Sequence, residues 1–195
     1  MDEYLGGLIP GDKFENAARL WNNYKTDYKP LLKFAFDHHL PFVATNVPRR
    51  YANLVYRKGF AGLDSLSDDA GKFLPPLPIK YDPELPGYKK MLKTGHMGGG
   101  QASEYFPMAQ AIKDATMAYF ILQNWSPGKQ FLHFNGAGHS DNYEGIVWYL
   151  YQDQPDLKLI TITTVMQEDP TELREESAGW ADFTIVVPNN MTRTY

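Results

Sequence analysis

Short apolar runs alternate with helix-patterned stretches along this chain, and that alternation admits few arrangements besides an α/β fold. PFVATN at 41–46 is β-branched and almost continuously apolar, as a buried parallel strand must be. NVPRRYANLVYRKG follows directly, with Pro48 near a helix start and Gly59 at its end. QFLHFN at 130–135 reads as a second buried strand, LKLITITTV at 157–165 as a third and DFTIVV at 182–187 as a fourth. The predicted fold class is therefore α/β, a mostly parallel sheet flanked by helices. One domain is expected, in four parts: a helical region over 1–40, a βα unit over 41–60, a Pro/Gly-rich excursion over 61–100 and a C-terminal αβ part over 101–195.

The helical patterns are specific. Asp12 to Tyr24 reads as a helix capped by Asp12, with Glu15 three residues on as in a capping box. A second helix runs from Thr26 or Asp27 to His38, with Pro30 in its first turn. A long one covers about Glu104 to Asn124, where Met108, Ile112, Ala115, Tyr119 and Leu122 form the expected core stripe and Gln110, Asp114, Met117 and Ile121 a second, partly polar one. Tyr143–Gln152 is helical as well. Between these lie FLPPLPIKYDPELPGY and TGHMGGG, whose prolines and glycines predict an extended excursion with a short helix near Tyr88–Lys93.

Composition narrows the partners. The net charge of −4 disfavours nucleic acid. Residues 1–100 carry 14 basic and 11 acidic side chains, or +3, and residues 101–195 carry 5 and 12, or −7, so the first half is the better place to meet an anion. The absence of cysteine excludes disulfides and thiolate ligands. No run approaches ~18 consecutive apolar residues, the length of a membrane span. MDEYLGGLIPGDKFE lacks the basic and apolar regions of a signal peptide, so any export signal is expected upstream.

Several constellations can carry chemistry. Gly136-Ala-Gly-His139-Ser140-Asp141 follows a predicted strand, and its glycines let the backbone turn sharply and aim His139 into the crevice at the strand ends. There His139 suits a metal ligand, a general base or a carboxylate partner, and equally a turn cap. Asn46, Arg49 and Arg50 stand at the edge of the 41–46 run, where arginine forks match carboxylates or phosphates. Gln110 and Asp114 are four apart and share a helix face, from which Asp114 can orient Arg49 or His139. Thirteen tyrosines are present, Tyr24, Tyr28, Tyr51 and Tyr56 among them in the basic half, and a tyrosinate can ligate haem iron. These features alone do not select haem over packing. No GxSxG, HExxH or P-loop motif occurs.

LWNNYKTDYKPLLKFA, PFVATNVPRRYANLVYRKGFAGLDSL, AQAIKDATMA, GAGHSDNYEGIVWYL and ADFTIVVPNNMTRTY together resemble the ChaN family of haem-binding uptake proteins, in the Tiki superfamily, over nearly the whole chain. The resemblance implies an α/β domain with an inserted helical region and a non-enzymatic protein that binds haem between two subunits, with a tyrosine on iron and basic groups at the propionates. It further implies iron or haem uptake, a periplasmic or outer-membrane-associated place for the full-length protein, and an outer-membrane haem receptor as partner. Tyr51 is chosen as iron ligand because it follows two arginines, with Tyr28 and Tyr24 in reserve; Arg49, Arg50, Asn46, Lys113, Asp114 and His139 complete the expected site. Superfamily members that are metal-dependent hydrolases supply the alternative, with His139 as a metal ligand. A third reading is an interaction module whose Pro-rich excursion mediates dimerisation. Members of the family begin with a GExH-bearing strand, which this chain lacks, so it is expected to be a fragment.

Overall fold

The computed structural model describes residues 1–97 and 104–194; Gly98, Gly99 and Gly100 of the glycine run lie outside the described residues, as does the side chain of His96. Two compact units divide the chain, residues 1–44 with 190–195 and residues 45–189.

The first unit holds α1 (Asp2–Leu5), α2 (Gly11–Ala17), a π-helical turn at Tyr24–Tyr28 and α3 (Lys29–Asp37). The sequence predicts one helix from Asp12 to Tyr24; α2 instead stops at Ala17, because Ala18 turns extended at φ −85°, ψ 146°. Asp12 lies inside the first turn, with no side-chain cap on α2, and Glu15 pairs with Lys29 at 2.7 Å. Pro30 is accommodated in the first turn of α3, where its missing N–H costs nothing. Phe14, Tyr24 and Leu32 form the core, and Tyr4 stacks on Phe14 and Phe36 with ring centroids 5.3 and 5.0 Å apart.

In the second unit α4 (Arg49–Lys58), α5 (Asp68–Gly71), α6 (Pro86–Met97), α7 (Phe106–Asn124) and α8 (Ile146–Asp153) precede β1 (Ile162–Gln167) and β2 (Phe183–Pro188). Gly59 ends α4 at φ +65°, as its position predicts. Helix α7 packs against α4, α6 and α8. Its alanines 109, 111, 115 and 118 are all buried and let neighbours approach from several sides. The expected ranking of the two stripes is therefore corrected: Met108, Tyr119 and Leu122 of the core stripe are only half-buried, whereas Gln110, Asp114, Met117 and Ile121 of the partly polar one are all buried. A helix enclosed on most of its circumference loses amphipathic contrast.

The architecture is helix-rich with a small parallel sheet, a form compatible with α/β. β1 and β2 pair in parallel, Ile162 opposite Phe183 through Gln167 opposite Pro188. The strands expected at 41–46 and 130–135 enter no ladder among the described residues. Both runs have the composition of strands, but a strand also needs a neighbour, and local pattern does not supply one. The excursion is also more ordered than its prolines suggest. It contains a 3-10 turn at Phe60–Ser65, α5 and the twelve-residue α6, and it buries Leu74 and Tyr88. No described helix is long and apolar enough to cross a membrane.

Candidate functional site

Two consecutive turns of α7 carry Gln110 and Asp114 on one face, and the GAGH segment folds into a 3-10 turn, Ala137–His139, that meets them. His139 Nδ1 lies 2.5 Å from Asp114 Oδ1 and 2.8 Å from Gln110 Nε2. Asp114 Oδ2 accepts a hydrogen bond from the Tyr88 hydroxyl at 3.1 Å. Asp114 is 0% exposed. Burial pushes its carboxyl pKa up, and His139, Tyr88 and Lys113 partly offset the rise. Burial, with the nearby Asp114 charge, drives the Tyr88 hydroxyl far above the ordinary tyrosine range, so it stays protonated and keeps its proton for Asp114. The His139 side chain is 19% exposed and that of Asp114 fully buried, so the pair runs from the core to the surface. Among the two residues open to Asp114, the structure selects His139.

Glycine is required at 145. Its φ is +54°, and a Cβ there would sit 2.4 Å from the His139 carbonyl oxygen and 3.2 Å from Asp114 Oδ2. The backbone thus closes directly over the pair.

His133, which the sequence reading passed over inside FLHFN, adjoins this cluster. Its Nε2 is 2.8 Å from Thr45 Oγ1 and its Nδ1 3.1 Å from Asn135 Oδ1. Burial lowers its pKa below 6.5, the Asn135 bond opposes this, and the neighbouring His139 lowers it further. A depressed histidine contributes stability above its unfolded pKa that is lost as pH falls through the folded one. Wild type should therefore lose thermal stability as pH drops below about 6.5, and His133→Gln should lose less. Parallel melting curves from neutral to mildly acidic pH check this; equal losses in both proteins refute it.

A cleft of about 280 Å³ opens beside the cluster, lined by Tyr88, Asp114, Gly138, Asp141, Glu144 and Trp180 among others. Glu144 Oε2 accepts the Gly87 N–H at 2.7 Å and so fastens the start of α6 to this rim. The volume stands at the low end for small-molecule pockets. Among the described residues, no three histidine, aspartate or glutamate side chains converge to hold a metal ion.

Arg49 begins α4 and is exposed, as is Asn46. Arg50 stacks over the Tyr51 ring at 4.5 Å and donates to the Tyr51 hydroxyl at 3.1 Å. Tyr51 itself is 8% exposed and belongs to the core around Val55 and Ile112. Lys113 is half-buried; desolvation lowers its pKa, Asp114 opposes the shift and Arg49 adds to it. In the first unit Tyr24 is buried and its hydroxyl pKa is raised by burial and by Glu15. Tyr28 is 39% exposed at the end of the π turn, its ring 6.5 Å from that of Trp21, which is 75% exposed.

A family model described as haem-binding uptake, Tiki superfamily, ChaN matches residues 1–150. The chain belongs to this ChaN family. The match spans the helical first segment, the Arg49–Arg50 segment, α7 and the GAGH turn, so haem binding is a family-level property of the region that holds every expected site residue. β1 and β2 lie beyond the span matched by the ChaN model. No curated protein and no solved structure matches the chain.

Proposed function

We propose that this ChaN-family chain binds haem as cargo for bacterial iron uptake, with Tyr28 as the iron ligand. The exposure of Tyr28 carries the choice. An axial ligand must present its oxygen to a large planar partner, and Tyr28 does so from a turn whose neighbouring aromatic, Trp21, is also bare. Tyr51 and Tyr24 would have to leave hydrophobic cores first. Lys25, one turn before Tyr28, is exposed and forms no ion pair among the described residues, which suits a propionate contact. Against the metal-hydrolase alternative stands the finding that, among the described residues, no three histidine, aspartate or glutamate side chains converge to hold an ion.

The reading extends to a periplasmic or outer-membrane-associated location, a haem-bridged homodimer and an outer-membrane receptor that exchanges haem with it. It also takes these residues as part of a larger Tiki-type sheet. The ladder-free extended runs at 41–46 and 130–135 support that, since unpaired strand backbone invites a neighbour. Titrating ferric haem into the purified protein tests the core of the reading. A saturable Soret shift with a tyrosinate-type spectrum is expected, and protein that stays colourless in excess haem ends it.

A further inference from the structure

β1 is built the wrong way round for a strand exposed on one side. Thr161, Thr163, Val165 and Gln167 face inward, and Ile160, Ile162 and Met166 face outward. The β2 residues opposite Ile162 and Thr164 in the ladder, Phe183 and Ile185, face the same way. Ile160, Ile162, Phe183 and Ile185 are 70, 62, 60 and 52% exposed. Leu157 and Leu159 pack instead against the helical core of α7 and α8, so the helices cover the opposite face. Parallel strands are ordinarily covered on both faces. Four large apolar side chains, each more than half bare, leave on the order of 500 Å² of hydrophobic surface, in the range of the largest and often functional patch on a monomer.

We propose that this face is a self-association surface, on which a second copy of the chain packs sheet against sheet in antiparallel, two-fold orientation. Area and charge both support a second copy. Two such faces bury on the order of 1,000 Å² in all, the lower bound for a specific interface. The alternation of exposure continues from 157 to 168, so Lys158, Ile160, Ile162, Thr164, Met166 and Glu168 share one edge-to-edge row. The row ends in a cation and an anion five residues either side of Thr163. A two-fold axis near that point brings Lys158 of each copy to Glu168 of the other, Ile160 to Met166 and Ile162 to Thr164. This surface lies outside the family-matched span, and the proposal is independent of the haem reading.

Sedimentation velocity of the haem-free chain between about 1 and 200 µM tests it, in the affinity range expected of an interface this small. The expected result is a concentration-dependent dimer. I162E/I185E changes only exposed positions, so it should keep the wild-type circular dichroism spectrum and weaken association at least a hundredfold, as for charges placed in an apolar interface centre. K158E alone should weaken it about threefold to tenfold by opposing like charges, and K158E/E168K should restore it. A chain that is monomeric throughout overturns the proposal and leaves the face to other polypeptide. A dimer indifferent to I162E/I185E, or one that K158E/E168K fails to restore, also overturns it.

Discussion

Tyr28→Phe is expected to remove the tyrosinate-type haem spectrum and to weaken haem binding at least tenfold, the loss of about 1.4 kcal/mol or more that one iron–oxygen bond readily supplies. The same substitution at Tyr51 should leave the spectrum as in wild type. The contrast follows from where the two rings sit. Tyr51 lies in the core beside Val55 and Ile112 with its hydroxyl held by Arg50, whereas Tyr28 stands in solvent beside Trp21. Removal of a solvent-facing hydroxyl should hardly change the melting temperature, so a lost spectrum in a normally folded Tyr28→Phe protein reports ligation. If the Tyr51→Phe protein loses the spectrum and Tyr28→Phe keeps it, the ligand lies in the second unit and the assignment to Tyr28 is wrong.

Asp114→Ala should produce the largest loss of stability of any substitution considered, roughly 3 kcal/mol, because it strands two partners of a fully buried carboxylate. For a chain of this length that corresponds to a fall of roughly 6–12 °C in Tm. The Tyr88 hydroxyl and His139 Nδ1 both lose their acceptor at a position that is 0% exposed. Asp114→Asn, which retains an oxygen, should cost markedly less. It should also change the pH dependence. Burial holds the Asp114 pKa above its ordinary 3.8, so the group's contribution is complete below that pH and declines as pH rises through the folded value. The asparagine protein should lack that decline. Calorimetry from acid to neutral pH checks both points, and an Asp114→Ala midpoint within a degree or two of wild type would show that the pair contributes little.

Much of this cluster was legible before the fold was seen. The four-residue spacing of Gln110 and Asp114 places them on one helix face, and two glycines ahead of His139 announce a sharp turn. Helix periodicity cannot say that the shared face is enclosed: α7 is packed on several sides, and its polar pair is more deeply buried than Met108 or Leu122. Tyr88 was expected at the start of a short helix, as α6 bears out, but nothing local shows that its hydroxyl reaches Asp114 on α7. His133 gave no signal beyond its presence in an apolar run. Strand pairing was the least legible property. PFVATN and QFLHFN carry the same composition as the segments that do pair, and only the long-range meeting of Thr163 with Thr184 distinguishes β1 and β2 from them. Tyr51 was singled out for its arginine neighbours, and those arginines include the one that pins its hydroxyl.

Asp182 resolves a contradiction written into β1. Sliding that strand by one residue would turn its isoleucines inward and its threonines to water, a trade that hydrophobicity alone favours. Asp182 forbids the slide: its Oδ2 accepts both the Thr161 N–H at 2.7 Å and the Thr161 hydroxyl at 2.9 Å, and its own N–H returns to Thr161 Oγ1 at 3.0 Å. A single carboxylate thus acts as a ratchet pawl on the strand, keeping a frustrated alignment from relaxing into the greasier one. Held in this alignment, Ile160 and Ile162 stay on the surface at 70 and 62% exposure, a cost in single-chain stability that the Asp182 contacts offset.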